Sequence, residues 1–346
     1  MPAARAAAEP GAPQGELLEP AVPHVALLMP ARSSGLAKAA EAVTLGFTAA
    51  AKTDAAPTLP IRVYGVAGSP ESAILEYRRA VANGARLVIG PLTRDAVTAL
   101  ASRGRITVPT LALNVPDGDY PLPPRLYVLS LHVEAEAAQV AQLAIADGRQ
   151  RALTVAAGTP LLRRVHQAFV EAFRRLGGRI VEEYAYDADP TALATLRTAL
   201  RASGADMAFL ALDYAEARLV RPYLGALPAY ATSQIHPGQA APPAGHDLGG
   251  VRFLDMPWLL QPDHAAVMLY PRSQFGQDAD LERLYALGID ACRIGAALLK
   301  GDAVAALDGV TGQLRLEPDH RYARMLTGAE FSEGRLLSFA RNEPPR

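Results

Sequence analysis

Short apolar runs and helical patterns alternate along this chain from residue 25 onward. Residues 25–29 form a continuous apolar run, and a polar loop then leads into a helical pattern over about residues 36–52. A run without polar alternation is typical of a strand buried on both faces. The order of run, polar turn and helix repeats many times, and it predicts an α/β chain with parallel sheets.

Residues 86–114 show this pattern most clearly. An apolar run at 87–89 stops at a Gly-Pro pair, Thr93 opens a helical pattern, and a second apolar run follows at 108–113. A strand, a helix and a strand of this length predict a right-handed crossover between parallel strands. Ligands of such sheets bind at the carboxyl ends of the strands, so we expect function at these turns.

The alternation restarts after about residue 130, which predicts two lobes of similar design. The last hundred residues hold a long helical pattern at 281–300 but too few strands for a third sheet, so we expect them to complete the two earlier lobes. The expected domains are residues 1–23 as a disordered leader, 24–130 plus 259–305 as lobe 1, and 131–258 plus 306–340 as lobe 2.

This division requires the chain to cross between the lobes three times. The expected crossings lie near Ser130, at residues 255–258 and at residues 302–309. The fold class predicted is therefore α/β, with two doubly wound parallel-sheet lobes joined by three crossovers. Three crossings form a hinge, and a hinge between two lobes leaves a cleft.

Composition agrees with this picture and excludes some functions. The 346 residues suit two domains of ordinary size. The net charge of -1, from 34 basic and 35 acidic residues, argues against a nucleic-acid groove. No apolar run approaches the 18 or so residues of a transmembrane segment. Residues 1–23 are rich in Pro, Ala and Glu without an apolar centre, so they are not a signal peptide.

Motifs that carry chemistry are missing from the sequence. The single cysteine, Cys292, excludes an internal disulfide and a cysteine-based metal cluster. The seven histidines are scattered, without a His-x-x-x-His pair, and neither a nucleophile elbow nor a phosphate-binding or dinucleotide-binding glycine motif occurs. We therefore expect a protein that is not an enzyme and that has no catalytic residues, metal or cofactor.

Positions at strand ends define the candidate ligand-binding cleft. The candidates are Arg32, Ser33, Ser34, Thr93, Asn114, Thr159, Asp213, Tyr214, Ser233, Gln234 and Trp258. Each has a structural alternative. Ser34, Thr93 and Asp213 could be helix N-caps, and Asn114 could simply begin a proline-rich turn. Trp258 stands beside a proposed crossover, so a hinge or core position competes with stacking on a ligand.

Several motifs are narrower than the fold. They are Gly90-Pro91-Leu92 and the segments at residues 108–114, 231–235, 255–260, 285–291 and 309–314. In order and spacing, over roughly residues 24–340, this set resembles the penicillin-binding-protein activator family, also called the LppC or LpoA lipoproteins. The organisation in two lobes resembles the type I periplasmic-binding-protein fold.

This resemblance implies a periplasmic protein, which in its full-length form is an outer-membrane lipoprotein. It also implies that the protein regulates peptidoglycan synthesis, either by contact with a bifunctional peptidoglycan synthase or by sensing a small-molecule ligand in the cleft. Family members with the full architecture carry a helical-repeat domain and a lipidated cysteine, and we expect the signal and that cysteine to be absent from this chain. The alternative is a solute-binding receptor similar to the leucine/isoleucine/valine-binding proteins. Ala112 weakens that alternative, because it offers no side-chain hydrogen bond at a first-lobe strand end.

Overall fold

The computed structural model describes residues 21–53, 59–118, 121–238, 247–276 and 278–339, so all but the last three residues of the predicted leader lie outside it. The strands are β1 (His24–Pro30), β2 (Ile61–Val66), β3 (Ala85–Ile89), β4 (Thr110–Ala112), β5 (Leu126–Val128), β6 (Arg151–Ala156), β7 (Arg179–Ala185), β8 (Met207–Ala211), β9 (Ala229–Ala231), β10 (Val251–Asp255), β11 (Ala306–Asp308), β12 (Gln313–Leu316), β13 (Tyr322–Met325), β14 (Thr327–Ser332) and β15 (Arg335–Phe339). The helices are α1 (Ala37–Ala50), α2 (Pro70–Ala82), α3 (Arg94–Arg103), α4 (Val133–Ala146), α5 (Pro160–Arg175), α6 (Pro190–Ser203), α7 (Tyr214–Val220), α8 (Pro257–Leu260), α9 (Ala265–Met268) and α10 (Ala279–Leu299).

The first lobe is built on a parallel sheet with the strand order β2-β1-β3-β4-β5. Alternate residues of β1 enter different cores: Leu27 packs in the core that also contains α1 and α10, and Leu28 packs in the core with α2 and α3. Burial on both faces explains why β1 is a continuous apolar run in the sequence.

The second lobe contains a sheet with the order β15-β14-β10-β9-β8-β6-β7. Strands β6 to β10 are parallel, whereas β14 and β15 are added antiparallel at one edge. Leu153 and Phe209 lie in separate cores on the two faces of this sheet. The two sheets confirm the predicted pair of doubly wound lobes. The exact residue boundaries between the lobes stay a prediction.

After β10 the chain returns to the first lobe through α8 and α10, and α10 packs along α1. Two glycines allow this close approach. A Cβ added at Gly46 would strike the carbonyl oxygen of Tyr285, and one at Gly288 would strike the carbonyl oxygen of Val43. The two helix backbones therefore meet where neither residue has a side chain.

Strands β11, β12 and β13 form a separate antiparallel sheet on the way back to the second lobe. The expectation that the last hundred residues have too few strands for a third sheet is therefore wrong, because β12 pairs with β11 and β13 and not with a strand of either larger sheet. Asp290 of α10, which is fully buried, fixes the turn before β12. Its carboxylate accepts hydrogen bonds from the Val310 N–H at 3.1 Å, the Thr311 N–H at 2.8 Å and the Thr311 hydroxyl at 2.7 Å. A Cβ at Gly309 would collide with this carboxylate. The two sequence motifs at 285–291 and 309–314 are therefore one structural unit.

We predict that Gly46→Ala destabilises the protein by about 1–3 kcal/mol, because the added methyl overpacks the contact with α10. In a helix without such a contact, alanine is more favourable than glycine by about 1 kcal/mol. A loss of stability in Gly46→Ala, rather than a gain, therefore indicates the close packing. Gly35→Ala, in the turn before α1, is the control for adding a methyl without a clash, since an added Cβ there has nothing within 4 Å. Urea unfolding of both variants checks this, and equal stability of the two would contradict it.

Candidate functional site

A cleft of about 620 Å³ opens between the two lobes. The first lobe lines it with Arg94, at the start of α3, and with Asn114 and Asp117, which follow β4. The second lobe lines it with Glu134, in the first turn of α4, and with Arg164 of α5. These side chains come from segments at the carboxyl ends of strands or from helix starts, where α/β sheets place ligands.

Ion pairs dominate the mouth of the cleft. One oxygen of Glu134 lies 3.2 Å from Nε of Arg164 and 3.5 Å from a guanidinium nitrogen of Arg94, so this carboxylate bridges the lobes. The other oxygen lies 3.0 Å from Nε2 of His132. Burial alone would raise the pKa of Glu134, but His132 and Arg94 outweigh it and lower the pKa to about 2. Glu134 is therefore charged at all ordinary pH values.

A second polar cluster, the buried junction, lies where β10 passes toward α8. Arg283 of α10 donates to both oxygens of Asp255, at 3.2 and 2.7 Å, and to the carbonyl oxygens of Ser233 and His236, each at 3.0 Å. Nδ1 of His236 lies 2.8 Å from Asp255. These side chains are almost completely buried. The cluster joins a helix packed on the first lobe to a loop and a strand of the second.

The charges of the buried junction stabilise one another. Burial would raise the pKa of Asp255, but Arg283 and His236 hold it well below its usual range. Burial likewise would lower the pKa of Arg283, and Asp255 reverses the shift and raises it. Each partner therefore keeps the other ionised in a place where an unpaired charge would be very costly.

Glu136 borders the buried junction and behaves differently. It accepts hydrogen bonds from the backbone N–H of Ser233 and from the Ser233 hydroxyl, the latter at 3.2 Å. Burial and the neighbouring charge of Asp255 raise its pKa to about 7, although Ser233, Arg283 and Arg324 act in the opposite direction. Glu136 and Arg324 line two small cavities, of about 240 and 170 Å³.

The structure separates the predicted cleft residues into groups. Ser34 and Thr93 line a cavity of about 240 Å³ within the first lobe. Asn114 lines the cleft between the lobes, where its side chain donates to the carbonyl oxygen of Leu92 at 3.0 Å. Ser233 and Gln234 line the 170 Å³ cavity beside the buried junction. Whether any of these residues binds a ligand stays a prediction.

The other candidates from the second lobe sit at helix starts. Thr159 is the N-cap of α5, where it accepts from the Leu162 N–H at 3.3 Å. Asp213 and Glu216 form a reciprocal capping box at the start of α7. Tyr214 is half-buried in the first turn of that helix, and the Arg218 guanidinium lies 5.4 Å from its ring centre. None of these lines the four cavities described above.

Trp258 lies in the core of the first lobe, whereas Arg32 and Ser33 are exposed in the loop after β1. The Trp258 ring is 1 % exposed, and its Nε1 donates to Glu282 at 2.6 Å. The Arg272 guanidinium lies 4.7 Å from its ring centre. This is the environment of a core residue next to a crossover.

Sequence reasoning missed the charged residues of the cleft. Arg94, His132, Glu134 and Arg164 stand in or beside first helical turns, where a charged residue is ordinarily solvated. The sequence signal that could have identified Arg94 is its position, because it directly follows Thr93, which is predicted to lie at a strand end. Over the ranges that the structure covers, no group of three or more His, Cys, Asp or Glu residues is placed to hold a metal ion.

The fold and the cleft define a class of protein, the two-lobed α/β proteins of the type I periplasmic-binding-protein fold. Solved structures of this class match nearly the whole chain. One from Chromobacterium violaceum, described as a "putative branched-chain amino acid ABC transporter", is 40% identical, with a TM-score of 0.75 over 89% of this chain and 99% of that one. The C-domain of LpoA from Haemophilus influenzae, "a regulator of PBP1A", matches with a TM-score of 0.73 over 92% of this chain and 100% of that one, at 22% identity.

The chain belongs to the LppC family, whose description is "LppC putative lipoprotein" and whose profile matches residues 16–201 and 192–334. Among curated relatives, the penicillin-binding protein activator LpoA of Pectobacterium parmentieri is 26% identical over 87% of this chain, and that of Edwardsiella piscicida is 25% identical over 81%. The alignments cover 50% and 46% of those proteins, so the chain spans about half of their length. The predicted family and fold class are confirmed.

We predict that Arg283→Met destabilises the protein by about 3–5 kcal/mol, because it leaves Asp255 buried without its arginine partner. Arg103→Met is the matched control, since Arg103 pairs with Glu71 at 3.1 Å on the exposed surface, where an ion pair contributes less than about 1 kcal/mol. Urea unfolding curves of the two variants and the parent provide the measurement. Similar losses in both variants would show that the buried pair has no special importance.

A second prediction concerns pH. The folded protein binds the Glu136 proton more tightly than the unfolded chain does, with a pKa of about 7 against 4.5. Glu136 should therefore reduce the free energy of unfolding progressively as the pH rises between these values, by about 3 kcal/mol in total. Below about pH 4.5 and above about pH 7 this contribution is constant.

Glu136→Gln removes this titration. The stability of the parent minus that of the variant should fall by about 3 kcal/mol from pH 4.5 to pH 8. Urea unfolding at several pH values measures the difference, with Glu41→Gln, on the exposed side of α1, as the control. A difference that does not change with pH would disprove the assignment.

Proposed function

We propose that this chain is a non-catalytic regulator of peptidoglycan synthesis that contacts a bifunctional synthase of the penicillin-binding-protein class. The observation that carries the proposal is the LppC family match over nearly the whole chain. The curated relatives in this family are named penicillin-binding protein activators. The solved C-domain named as a regulator of PBP1A is covered in full by the match, which spans 92% of this chain.

Two arrangements support a non-catalytic role. The pair closest to a catalytic dyad, His236 with Asp255, is buried, and Arg283 occupies both oxygens of the carboxylate. In the cleft, Glu134 is held by two guanidinium groups and stays charged. A general acid or base instead needs a pKa near the working pH and access to a substrate. Neither Asp255 nor Glu134 provides both.

The location we propose is the periplasm, with attachment to the outer membrane through a lipidated cysteine in the full-length form. The family description, a lipoprotein, supports this location. None of the helices in the described segments combines the length and apolarity needed to cross a membrane. A lipid anchor would leave both lobes free to reach a synthase across the periplasm.

The mechanism that suits this structure is contact by a preformed surface. The buried junction connects the two lobes through hydrogen bonds that leave no charge unpaired. These bonds lie deep in the interior and fix the position of one lobe relative to the other. A partner that binds such a surface does not need to order it first, which lowers the cost of association. The outer faces of the lobes would then form the contact with the synthase.

The second candidate function is a solute-binding receptor. Its support is the 620 Å³ cleft, which lies within the usual size range of small-molecule sites, together with 40% identity to a structure described as a branched-chain amino acid transport protein. In this case the lobes would grip a small polar ligand, with Asn114 and the ion-paired residues of the cleft as contacts.

One experiment separates the two functions. The purified chain is passed over the immobilised periplasmic part of a bifunctional synthase from the same organism, and the rate of glycan polymerisation is measured with and without the chain. A solute-binding protein of similar size is the control. We expect retention and a higher rate. A thermal-shift screen against amino acids, peptides and carboxylates runs in parallel, where a receptor gains about 2.7 kcal/mol at a hundredfold excess over the dissociation constant.

Arg94→Gln sharpens this test, because it changes the cleft and leaves the outer faces unaltered. A regulator acting through surface contact should keep its synthase binding in this variant, within a factor of about two. A receptor should lose most of its ligand-induced shift. A chain that is not retained, that leaves polymerisation unchanged and that shows a large shift with one solute would overturn the proposed regulation.

A further inference from the structure

Three basic groups converge on one carboxylate at the mouth of the cleft. Arg94 comes from the first lobe, and His132 and Arg164 come from the second. Their target, Glu134, belongs to the chain itself, yet it occupies the place between two lobes where a bound ligand would stand. The low pKa of this carboxyl shows that the surroundings favour a negative charge at this point.

The two arginines of this group are accessible and can bind a further partner. The Arg94 side chain is 29% exposed and that of Arg164 is 49% exposed, and both line the 620 Å³ cleft. A guanidinium group has five N–H donors in a planar fork that suits carboxylates. Arg94 contacts Asp117 and Glu134, both at 3.5 Å, and ion pairs of this length are weakly directed.

We propose that the cleft contains a carboxylate-binding site, formed by Arg94, Arg164 and His132, which the chain fills with its own Glu134. The ligand class is a small molecule or peptide with a free carboxylate, and it binds by displacing the Glu134 side chain from the two guanidinium groups. The cleft has room for a body the size of a short peptide beside that carboxylate.

The charge balance explains why displacement is required. The cleft contains Arg94 and Arg164 against Asp95, Asp117 and Glu134, and His132 adds a positive charge only when it is protonated. With Glu134 in place, three carboxylates face the two arginines, so another carboxylate would meet an excess of negative charge. Once Glu134 leaves, a ligand carboxylate takes over its role between Arg94 and Arg164 and restores the link between the lobes.

This inference deepens the second candidate function, since it names the chemistry of the cleft ligand, and it is independent of synthase regulation. The two can fail separately. The screen of the unchanged chain asks whether the cleft binds any solute. The experiment below asks whether the basic groups of the cleft recognise a carboxylate once Glu134 is removed.

Glu134→Ala removes the internal carboxylate and leaves space for an added one. The variant and the parent are titrated with propionate and, separately, with its neutral isostere propionamide, at constant ionic strength. Dissociation constants are obtained by calorimetry and thermal shift. We expect the variant to bind propionate at least tenfold more tightly than the parent does, with no matching gain for propionamide. The double variant Glu134→Ala with Arg94→Gln should lose this gain.

Glu134→Gln provides the second variant, because it removes the charge while keeping the shape of the side chain, and it replaces the alanine variant if that protein does not fold. Dialanine with a free carboxyl group and its C-terminal amide distinguish a peptide from a simple carboxylate as the source of the ligand. A gain for dialanine beyond that for propionate assigns the site to peptides. An equal response to propionate and propionamide, or an unchanged gain in the double variant, would overturn the proposal.

Discussion

The ion pair between Arg283 and Asp255 is the constraint on which the arrangement of the two lobes depends. It is buried, so neither charge can be left without the other, and the guanidinium group must also satisfy its remaining donors. It does so on the carbonyl oxygens of Ser233 and His236 and on the carboxylate of Asp280. These bonds fix the relative positions of the loop after β9, the end of β10 and the first turns of α10. Any relative movement of the lobes at this point would leave charges or donors unpaired in the interior.

Helix α10 makes this arrangement possible because its other contacts are equally restrictive. Gly288 lets it approach α1 until the backbones touch, which fixes its position on the first lobe. Asp290, two residues further on, accepts hydrogen bonds from the turn before β12 and so fixes that part of the third sheet on α10. One helix therefore determines where the second and third passages between the lobes run. The two ion pairs of Arg94 in the cleft, by contrast, are long and partly exposed, so the cleft is the part of the lobe boundary that can respond to a ligand.

The fold could be predicted from the sequence because each buried strand is a short apolar run followed by a polar turn and a helix. Short apolar runs such as residues 87–89 and 207–211 strongly favour buried strands. The sites could not be predicted in the same way. Arg283 and Glu136 are charged residues within helical patterns, which ordinarily face solvent, and only the second lobe makes them interior. The cleft pair of Arg94 and Glu134 joins residues far apart in sequence, and strand-end positions pointed to its neighbourhood without identifying it.

A distance measurement shows whether the buried pair fixes the position of one lobe relative to the other. Spin labels at Leu75 on α2 and Glu171 on α5, both exposed, would report the separation of the lobes by pulsed electron resonance. The parent is compared with a variant that carries Asp255→Asn and Arg283→Met, which removes both charges and leaves neither unpaired. We expect a single narrow distance distribution in the parent and a broad or shifted one in the variant. The same narrow distribution in both proteins would contradict it.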